Sequence, residues 1–394
     1  MMRTIEIKNI KIAGEGKTLS SGSLLVQEGK IQAISSEPIG GADLVIDGAG
    51  KNWSLVPGFI DVHIHGAGGY DVMDATSEAL EGITKQLPAE GTTSFLATTM
   101  TQSSENISCA LKNAASFIEK QYEDGSAEVL GVHLEGPFIA KNKAGAQPLE
   151  HISSPSISQF NLWQKESGGT IRLVTLAPEV EGGLELIEHL TKSGVTASIG
   201  HSEATYIQVE KAVEKGARHI THLFNQMSGL HHREPGVVGA ALLNDKLKVE
   251  MIVDYVHSRP EAVKLAYQNT HAARTILITD AMRAKCLPEG TYDLGGQQVE
   301  VQGKEARLKD GTLAGSILTL DEAVRNMKSN LNLSLEDIVK ITSSNAAEQL
   351  NVIDRKGSIA EGKDADLVIM DENFEVIMTL CRGVMAYQRE EKMT

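Results

Sequence analysis

The sequence predicts an α/β protein built around a (β/α)8 barrel of the TIM type, with a small β-sandwich domain formed by both termini. Two observations support this prediction. From about residue 57 to 355, eight short aliphatic runs alternate with helix-like segments. Before and after that body, short alternating runs are separated by turns and show no long helical pattern. We therefore expect residues 1–55 and 356–394 to form the sandwich and residues 56–355 the barrel.

The terminal segments show the period-two alternation that is typical of antiparallel strands. At the N-terminus the alternating runs are "IEIKNIKI", "SLLVQEGKIQAI" and "DLVIDG", separated by glycine-containing turns. At the C-terminus the stretch "GSIAEGKDADLVIMDENFEVIMTLCRGVMAY" has the same character. Two β-rich ends that flank one α/β body favour a single small domain to which both ends contribute.

The predicted barrel strands are "GFIDVHIH", "TSFLATT", "EVLGVHLEG", "IRLVTLAP", "TASIGH", "HITHLFN", "VEMIVD" and "TILITD". The alternative is a doubly wound open sheet, but no GxGxxG motif opens a helix after the first strand, which weakens a dinucleotide-binding interpretation. Residues 287–315 interrupt the alternation and predict a β excursion after the eighth strand.

Composition and charge limit the classes of partner. The chain has 394 residues and a formal net charge of -15, without a run of Lys or Arg that could bind nucleic acid. No stretch reaches the ~20 apolar residues of a membrane helix, and the first residues lack an apolar signal-peptide core. Three widely spaced cysteines fit a reduced compartment, so we expect a cytoplasmic protein.

Six side chains that could bind a metal stand at the C-terminal ends of these predicted strands. They are His63, His65, Glu135, His201, His222 and Asp280. In a barrel, the C-terminal ends of all strands meet at one mouth, where active sites are built. His63 and His65 are two residues apart on one strand, so their imidazoles face the same side.

Each of these residues has an ordinary structural explanation when it is considered alone. A single histidine at a strand end is usually a hydrogen-bonded core residue, and an acidic residue there often caps the next helix. Four imidazoles and two carboxylates buried together are different, because their desolvation and repulsion would be costly without a cation. Zn(II) and Fe(II) both accept these ligands, so the sequence predicts a site for one or two divalent ions.

The motifs around these residues resemble those of the amidohydrolase superfamily. The matching stretches are "GFIDVHIHG", "HLEGPF", "IGHS", "HLFNQM", "REPG" and "TDAM", in that order. Within the superfamily they are similar to the N-acetylglucosamine-6-phosphate deacetylase family, from about residue 50 to the C-terminus. The resemblance implies hydrolysis of N-acetyl-D-glucosamine 6-phosphate to D-glucosamine 6-phosphate and acetate, in amino-sugar catabolism and cell-wall sugar recycling.

The resemblance also implies roles for the residues at the strand ends. The ligands of the principal metal would be Glu135, His201 and His222. A second ion would be held by His63 and His65, with the same glutamate as a bridge. Asp280 would be the general base that takes a proton from water and the general acid that returns it to the leaving amine. Plain metal ligation and helix capping are the alternatives for this aspartate.

The substrate-binding residues are likewise implied by the resemblance. They are Ala146, Gln147, Asn225, Gln226, Arg233, Asp254, His257, Leu313, Ala314 and Gly315. An arginine fork suits the phosphate, and a solvated loop charge is the alternative interpretation of Arg233. Gln147 stands where many relatives have a histidine. Some phosphate contacts in relatives come from the neighbouring subunit, which implies a homodimer.

Two rival functions remain open at this point. The first is another amidohydrolase with the same metal site, such as a D-amino-acid deacetylase or a dihydroorotase-like enzyme, against which Arg233 and "HLFNQM" speak. The second is a metal-free relative that scaffolds partners, but such proteins typically lose metal ligands, and all six positions are filled here.

Overall fold

The computed structural model describes residues 4–14, 17–121 and 125–390. The strands are β1 (Ile5–Gly14), β2 (Lys17–Gln27), β3 (Lys30–Ser35), β4 (Leu44–Asp47), β5 (Ser54–Pro57), β6 (Phe59–Ile64), β7 (Gly66–Ala67), β8 (Tyr70–Asp71), β9 (Thr92–Thr99), β10 (Glu128–Glu135), β11 (Ile171–Leu176), β12 (Thr196–Ile199), β13 (His219–Ile220), β14 (Lys248–Ile252), β15 (Thr275–Ile278), β16 (Gly290–Leu294), β17 (Gln297–Gln302), β18 (Glu305–Leu308), β19 (Leu367–Met370), β20 (Val376–Cys381) and β21 (Val384–Gln388).

The helices follow the barrel strands in alternation. They are α1 (Ser77–Gln86), α2 (Ser104–Lys120), α3 (Ile157–Glu166), α4 (Gly183–Lys192), α5 (Tyr206–Lys215), α6 (Gly236–Leu243), α7 (Pro260–Arg274), α8 (Leu320–Asn330), α9 (Leu335–Val339) and α10 (Asn345–Gln349). None of the helices in the described ranges is both long and apolar enough to cross a membrane.

Eight parallel strands form the barrel, in the spatial order β6, β9, β10, β11, β12, β13, β14 and β15. The first and last of them meet, because the backbone N–H of Asp280 donates to the carbonyl of His63 at 2.8 Å. This arrangement confirms the predicted barrel, and each predicted run overlaps one of its strands. This hydrogen bond also brings the C-terminal ends of β6 and β15 together, which places their polar residues side by side.

Burial on both faces explains why the barrel strands form continuous apolar runs. All six residues of β6 and all eight of β9 are buried. Parallel strands covered by helices on one side and by the barrel interior on the other have no solvated face, so they do not alternate. Helix α5 is amphipathic instead and begins with a capping box between Thr205 and Gln208, whereas α6 is apolar and buried along nearly its whole length.

Both ends of the chain contribute to a second sheet, which confirms the predicted second domain. Its order is β21, β20, β19, β5, β1, β2, β3, with β4 pairing on β1, so its strands form one continuous sheet around their own apolar core. In β1 a bulge near Asn9, which has a φ of 54°, keeps Ile7 and Ile10 facing that core although they are three residues apart. The predicted domain limit at residue 55 falls within β5.

A third, three-stranded antiparallel sheet of β16, β17 and β18 lies within the predicted excursion. Two glutamine side chains attach it to loops at the barrel mouth. Gln102 Nε2 donates to the carbonyl of Gly295 at 2.8 Å, and Gln297 Nε2 donates to the carbonyl of Ala146 at 2.6 Å. The excursion therefore covers one side of the mouth.

A buried ion cluster joins the barrel to the terminal sheet. The ammonium of Lys356 contacts Asp366, Glu128 at 2.8 Å and Asp364 at 3.0 Å, and its side chain is only 1% exposed. Burial alone would raise the pKa of Glu128, but Arg355 and Lys356 lower it to about 2. Burial would likewise raise the pKa of Asp364, but Lys356 and Lys30 lower it to about 2. Three carboxylates in this geometry resemble a cation site, and the lysine ammonium is the cation they surround.

Replacing Lys356 with methionine should therefore destabilise the protein by about 3–5 kcal/mol, because it removes the buried ammonium that contacts all three carboxylates. Urea unfolding at pH 7 measures this loss. Lys192→Met is the matched control, since the side chain of Lys192 is 72% exposed and pairs with Glu188 at the surface. This substitution should cost less than about 1 kcal/mol. An equal loss in both variants would contradict the proposed role of the cluster.

The same variant should change the acid limb of stability. Carboxylates with a lowered folded-state pKa contribute stability above their unfolded pKa, and that stability is lost as pH falls through the folded value. The ordinary pKa of a glutamate is 4.5 and the pKa of Glu128 in the folded protein is about 2, so the wild type should lose stability steeply between these pH values. Lys356→Met should show a shallower decline.

Candidate active site

The six strand-end residues meet at the mouth of the barrel in two groups of ligand atoms. One group is His63, His65 and Asp280, and the other is Glu135, His201 and His222; within each group the ligand atoms lie within 4.8 Å of one another. The residues come from five strands spread over more than two hundred positions of sequence, so the barrel topology alone brings them together.

The spacing in the second group matches the ligand shell of a single ion. Glu135 Oε1 lies 3.2 Å from His201 Nε2 and 3.3 Å from His222 Nε2. The two imidazole nitrogens are 3.1 Å apart. Four ligands held tetrahedrally at the 2.0–2.1 Å of a zinc–nitrogen bond are separated by about 3.3 Å. These residues therefore fit a divalent ion.

Glu135 also faces the other group, so it lies between both. Its Oε1 is 3.4 Å from His63 Nε2, and its Oε2 is 3.3 Å from His65 Nε2. Asp280 Oδ1 completes that group at 3.4 Å from His63 Nε2 and 3.3 Å from His65 Nε2. Oε1 thus contacts histidines of both groups and Oε2 contacts His65, so Glu135 could serve an ion held by either group.

Hydrogen bonds from behind orient the imidazoles. The Nδ1 of His201 donates to the carbonyl of Lys143 at 2.7 Å, and the Nδ1 of His63 donates to Glu250 Oε2 at 3.1 Å. Both contacts leave Nε2 with its lone pair toward the mouth. In the described part of the chain, the buried Nε2 of His63 has no hydrogen-bond partner. Buried polar atoms rarely lack a hydrogen-bond partner, and a bound metal would satisfy the Nε2 of His63.

The electrostatics of the mouth favour positive charge. Burial alone would lower the pKa of His65, but Asp280 and Glu135 raise it to about 10. Burial would raise the pKa of Glu135, and the neighbouring histidines outweigh it and hold that pKa well below its usual value. The carboxylates thus draw a cation into the site, and a divalent ion supplies that charge without protonating its ligands.

Unusual backbone conformations aim three of these side chains. His201, His222 and Asp280 have φ values of 47°, 31° and 49°, in the left-handed region that non-glycine residues rarely adopt. Such strain costs about 1–3 kcal/mol per residue and is concentrated at functional sites. Gly200 lies against Thr221 and Thr175, where a Cβ would come within 2.8 Å of either side chain, so no larger residue fits before His201.

A cavity of about 360 Å³ opens above the ligand groups. Of the predicted substrate-binding residues, those that line it are Ala146, Gln147, Asn225, Gln226, His257, Leu313 and Gly315. Asp254 lies behind the lining and accepts a hydrogen bond from His257 Nδ1 at 2.7 Å. Ala314 is fully buried in the core of the excursion.

Arg233 does not line this cavity. It lies in an exposed loop, where its Nη1 contacts His232 Nε2 at 2.7 Å. The guanidinium that does line the cavity is that of Arg307, on β18. No motif in the sequence pointed to Arg307. Its only signal was its position in the predicted excursion, close to the predicted substrate-binding residues Leu313 and Gly315.

Gln147 makes contacts that the sequence did not predict. Its Nε2 donates to Glu135 Oε2 at 2.7 Å, and its Oε1 accepts from the backbone N–H of Thr101 at 2.8 Å. The side-chain amide of Gln147 is therefore held between the backbone of Thr101 and the carboxylate of Glu135. It fixes the rotation of Glu135 in addition to lining the cavity.

Comparison with known proteins identifies the relatives of this site. The model of the amidohydrolase family matches residues 54–386. The N-acetylglucosamine-6-phosphate deacetylase of Bacillus subtilis (strain 168) is 48% identical over 395 residues, which covers 99% of both chains. The chain belongs to the amidohydrolase family. This confirms the resemblance that its motifs indicated.

Two further relatives are named for N-acetylated sugar phosphates. The N-acetylgalactosamine-6-phosphate deacetylase of Escherichia coli O157:H7 is 36% identical, over 93% of this chain and 95% of that one. A mutant N-acetyl-D-glucosamine-6-phosphate deacetylase of Mycobacterium smegmatis, in complex with N-acetyl-D-glucosamine-6-phosphate, superimposes with a TM-score of 0.91. It is 29% identical and the match covers 98% of this chain and 100% of that one.

Proposed function

We propose that this amidohydrolase hydrolyses the acetamide bond of N-acetyl-D-glucosamine 6-phosphate, releasing D-glucosamine 6-phosphate and acetate. The observation that supports this most strongly is the pair of ligand groups sharing Glu135 at the base of a cavity that Arg307 and His257 also line. One or two Zn or Fe ions would be held by the two groups. Such an ion makes bound water acidic and polarises a carbonyl oxygen.

Asp280 is the residue that we assign to proton transfer. Burial alone would raise its pKa, but His63 and His65 hold that pKa below its usual value, so the side chain is a carboxylate. It lines the cavity and belongs to the ligand group of His63 and His65, which places it beside the reacting centre. It can take a proton from water during attack on the acetamide carbon and return it to the departing amine.

The phosphate would be bound by cationic groups of the cavity wall. Although burial lowers the pKa of His257, the carboxylate of Asp254 outweighs it and raises that pKa, which favours an imidazolium. The Nε of Arg307 donates to Glu305 Oε2 at 2.7 Å and its Nη1 to the carbonyl of Gly311 at 2.6 Å. These bonds fix the guanidinium on the hairpin and leave Nη2 for an anion.

We further propose a homodimer in which Arg233 serves the cavity of the partner subunit. Apolar side chains are exposed around its loop, where Leu230 is 57% and Ile207 is 66% exposed. Tyr206 N donates to Glu234 Oε1 at 2.8 Å, which ties the start of α5 to this loop.

We also propose a cytoplasmic location. It is supported by the three cysteines, which form no disulfide within the described residues.

The galactosamine epimer is the second candidate substrate, because the Escherichia coli relative is named for N-acetylgalactosamine 6-phosphate. Relatives with the higher identity of 48% favour the glucosamine form. Comparing hydrolysis of the two epimers decides between them. A D-amino-acid deacetylase or dihydroorotase-like activity would not require the phosphate, so hydrolysis of unphosphorylated N-acetylglucosamine at an equal rate would argue for a rival substrate class.

Asp280→Asn should lower kcat for acetate release by about 10²–10⁴-fold, because the amide keeps the shape of the side chain but accepts no proton. Acetate release from N-acetylglucosamine 6-phosphate measures the loss. Metal content and circular dichroism of the variant serve as controls for metal binding and folding. A variant that keeps its metal and the wild-type rate would remove Asp280 from proton transfer.

Arg307→Ala should lower kcat/KM for the 6-phosphate substrate by about 10–100-fold, the effect of removing a charged hydrogen bond worth about 1.5–3 kcal/mol. Hydrolysis of unphosphorylated N-acetylglucosamine should be unchanged. Lys309→Ala is the matched control, since this lysine lies on the same hairpin but outside the cavity. An equal loss with both substrates would mean that Arg307 does not recognise phosphate.

Arg233→Ala and Asp280→Asn subunits should restore activity when they are unfolded and refolded together. In a mixed dimer, the subunit with an intact Asp280 receives an intact Arg233 from its partner. About a quarter of wild-type activity is expected at equal mixing, since half of the dimers are mixed and each carries one complete site. No recovery in mixed dimers verified by mass spectrometry would place Arg233 within its own subunit's site or outside substrate binding.

A further inference from the structure

A carboxylate that the proposed reaction does not use lies directly behind the metal-binding histidines. Glu250 on β14 is fully buried, with 0% of its surface exposed. Its Oε2 accepts from His63 Nδ1 at 3.1 Å and from the backbone N–H of His222 at 3.0 Å. Its Oε1 accepts from His219 Nε2 at 2.9 Å. Three donors thus converge on two oxygens.

The surrounding bonds define where the protons lie. The Nδ1 of His219 faces the side-chain amide of Gln349 at 3.2 Å, so that amide donates and the proton of His219 is on Nε2. Glu250 Oε2 already accepts from the backbone of His222, and it accepts from His63 in the same way. The proton of His63 is therefore on Nδ1, and its Nε2 is left as the ligand atom.

We propose that Glu250 is a positioning residue for the second metal, the one held by His63, His65 and Asp280. It would act by fixing the tautomer and ring orientation of His63 and by placing a negative charge behind that imidazole. This inference rests on the proposed metal-dependent function of the same site. It explains why a fully buried glutamate interrupts the apolar run of β14.

The effect should be confined to one of the two ions. In the other ligand group, His201 is oriented by the carbonyl of Lys143, and Glu135 is oriented by Gln147. Within the described residues, Glu250 contacts that group only at the backbone N–H of His222 and not at the His222 imidazole. Loss of Glu250 should therefore weaken the second site and spare the first.

Glu250→Gln provides a sharp test because an amide cannot satisfy three donors. It offers one carbonyl oxygen and one NH2 group, so the NH2 group must face at least one of the existing donors. The backbone N–H of His222 cannot accept a hydrogen bond, so the amide oxygen stays with His222 and His63, and the NH2 group faces His219. His63 then loses the negative charge behind its ring, which makes its Nε2 a weaker metal ligand.

The experiment titrates metal-free enzyme with Zn(II) in the absence of substrate, using calorimetry and metal analysis. Wild type should bind two ions per subunit. Glu250→Gln should bind the first ion with unchanged affinity and the second about 10–100-fold more weakly. Glu90→Gln is the matched control: Glu90 is also buried, but it pairs with Lys285 at 2.6 Å and not with a histidine, so it should titrate like wild type.

The outcomes separate this inference from the proposed function. A wild type that binds no metal overturns both, whereas a wild type that binds one ion, or equal second-site affinity in Glu250→Gln, overturns only the role of Glu250. Nitrogen-15 histidine spectra of zinc-loaded wild type test the same claim without a folded variant of Glu250. The signals of His63, assigned with His63→Asn, should show the proton on Nδ1; a proton on Nε2 would overturn the inference.

Discussion

The barrel mouth is governed by one electrostatic constraint: carboxylates and imidazole lone pairs face each other where water is largely excluded. Glu135, Asp280 and Glu250 are all buried within hydrogen-bond or ion-pair distance of histidines. The dielectric constant of a buried site is low, so neighbouring carboxylates repel each other strongly unless positive charge lies between them. The surrounding structure can be understood as the framework that holds these groups together and reserves the space for a cation.

That framework has two parts, hydrogen bonds from behind and a strained backbone. The carbonyl of Lys143, the amide of Gln147 and the carboxylate of Glu250 each hold one ligand from the rear. The left-handed conformations of His201 and His222 turn their side chains off the course of their strands and into the mouth. Packing of the barrel offsets this strain, so stability produced by the core is used to orient polar groups.

The sequence predicted the barrel because buried parallel strands form apolar runs. It predicted that six polar side chains would meet at one mouth because they follow the ends of those runs. Glu250 was missed because it lies inside the run "VEMIVD" and not at its C-terminal end, where candidate ligands were expected. Arg307 was missed because an arginine in a short alternating hairpin has the ordinary pattern of a solvated strand. The position of Arg233 depends on how its loop folds and on what packs against it, and neither follows from local pattern.

The pairing of β5 with β19 has a consequence for synthesis of the chain. Leu55 lies opposite Ile369, so the early half of the terminal sheet meets its partner only when the last part of the polypeptide has been made. Domains generally fold in order as they leave the ribosome, but this sheet must wait for the entire barrel. During that interval the edge of β5 that later pairs with β19 has free backbone N–H and C=O groups. A chaperone or rapid barrel closure would prevent nascent chains from pairing with one another at this edge.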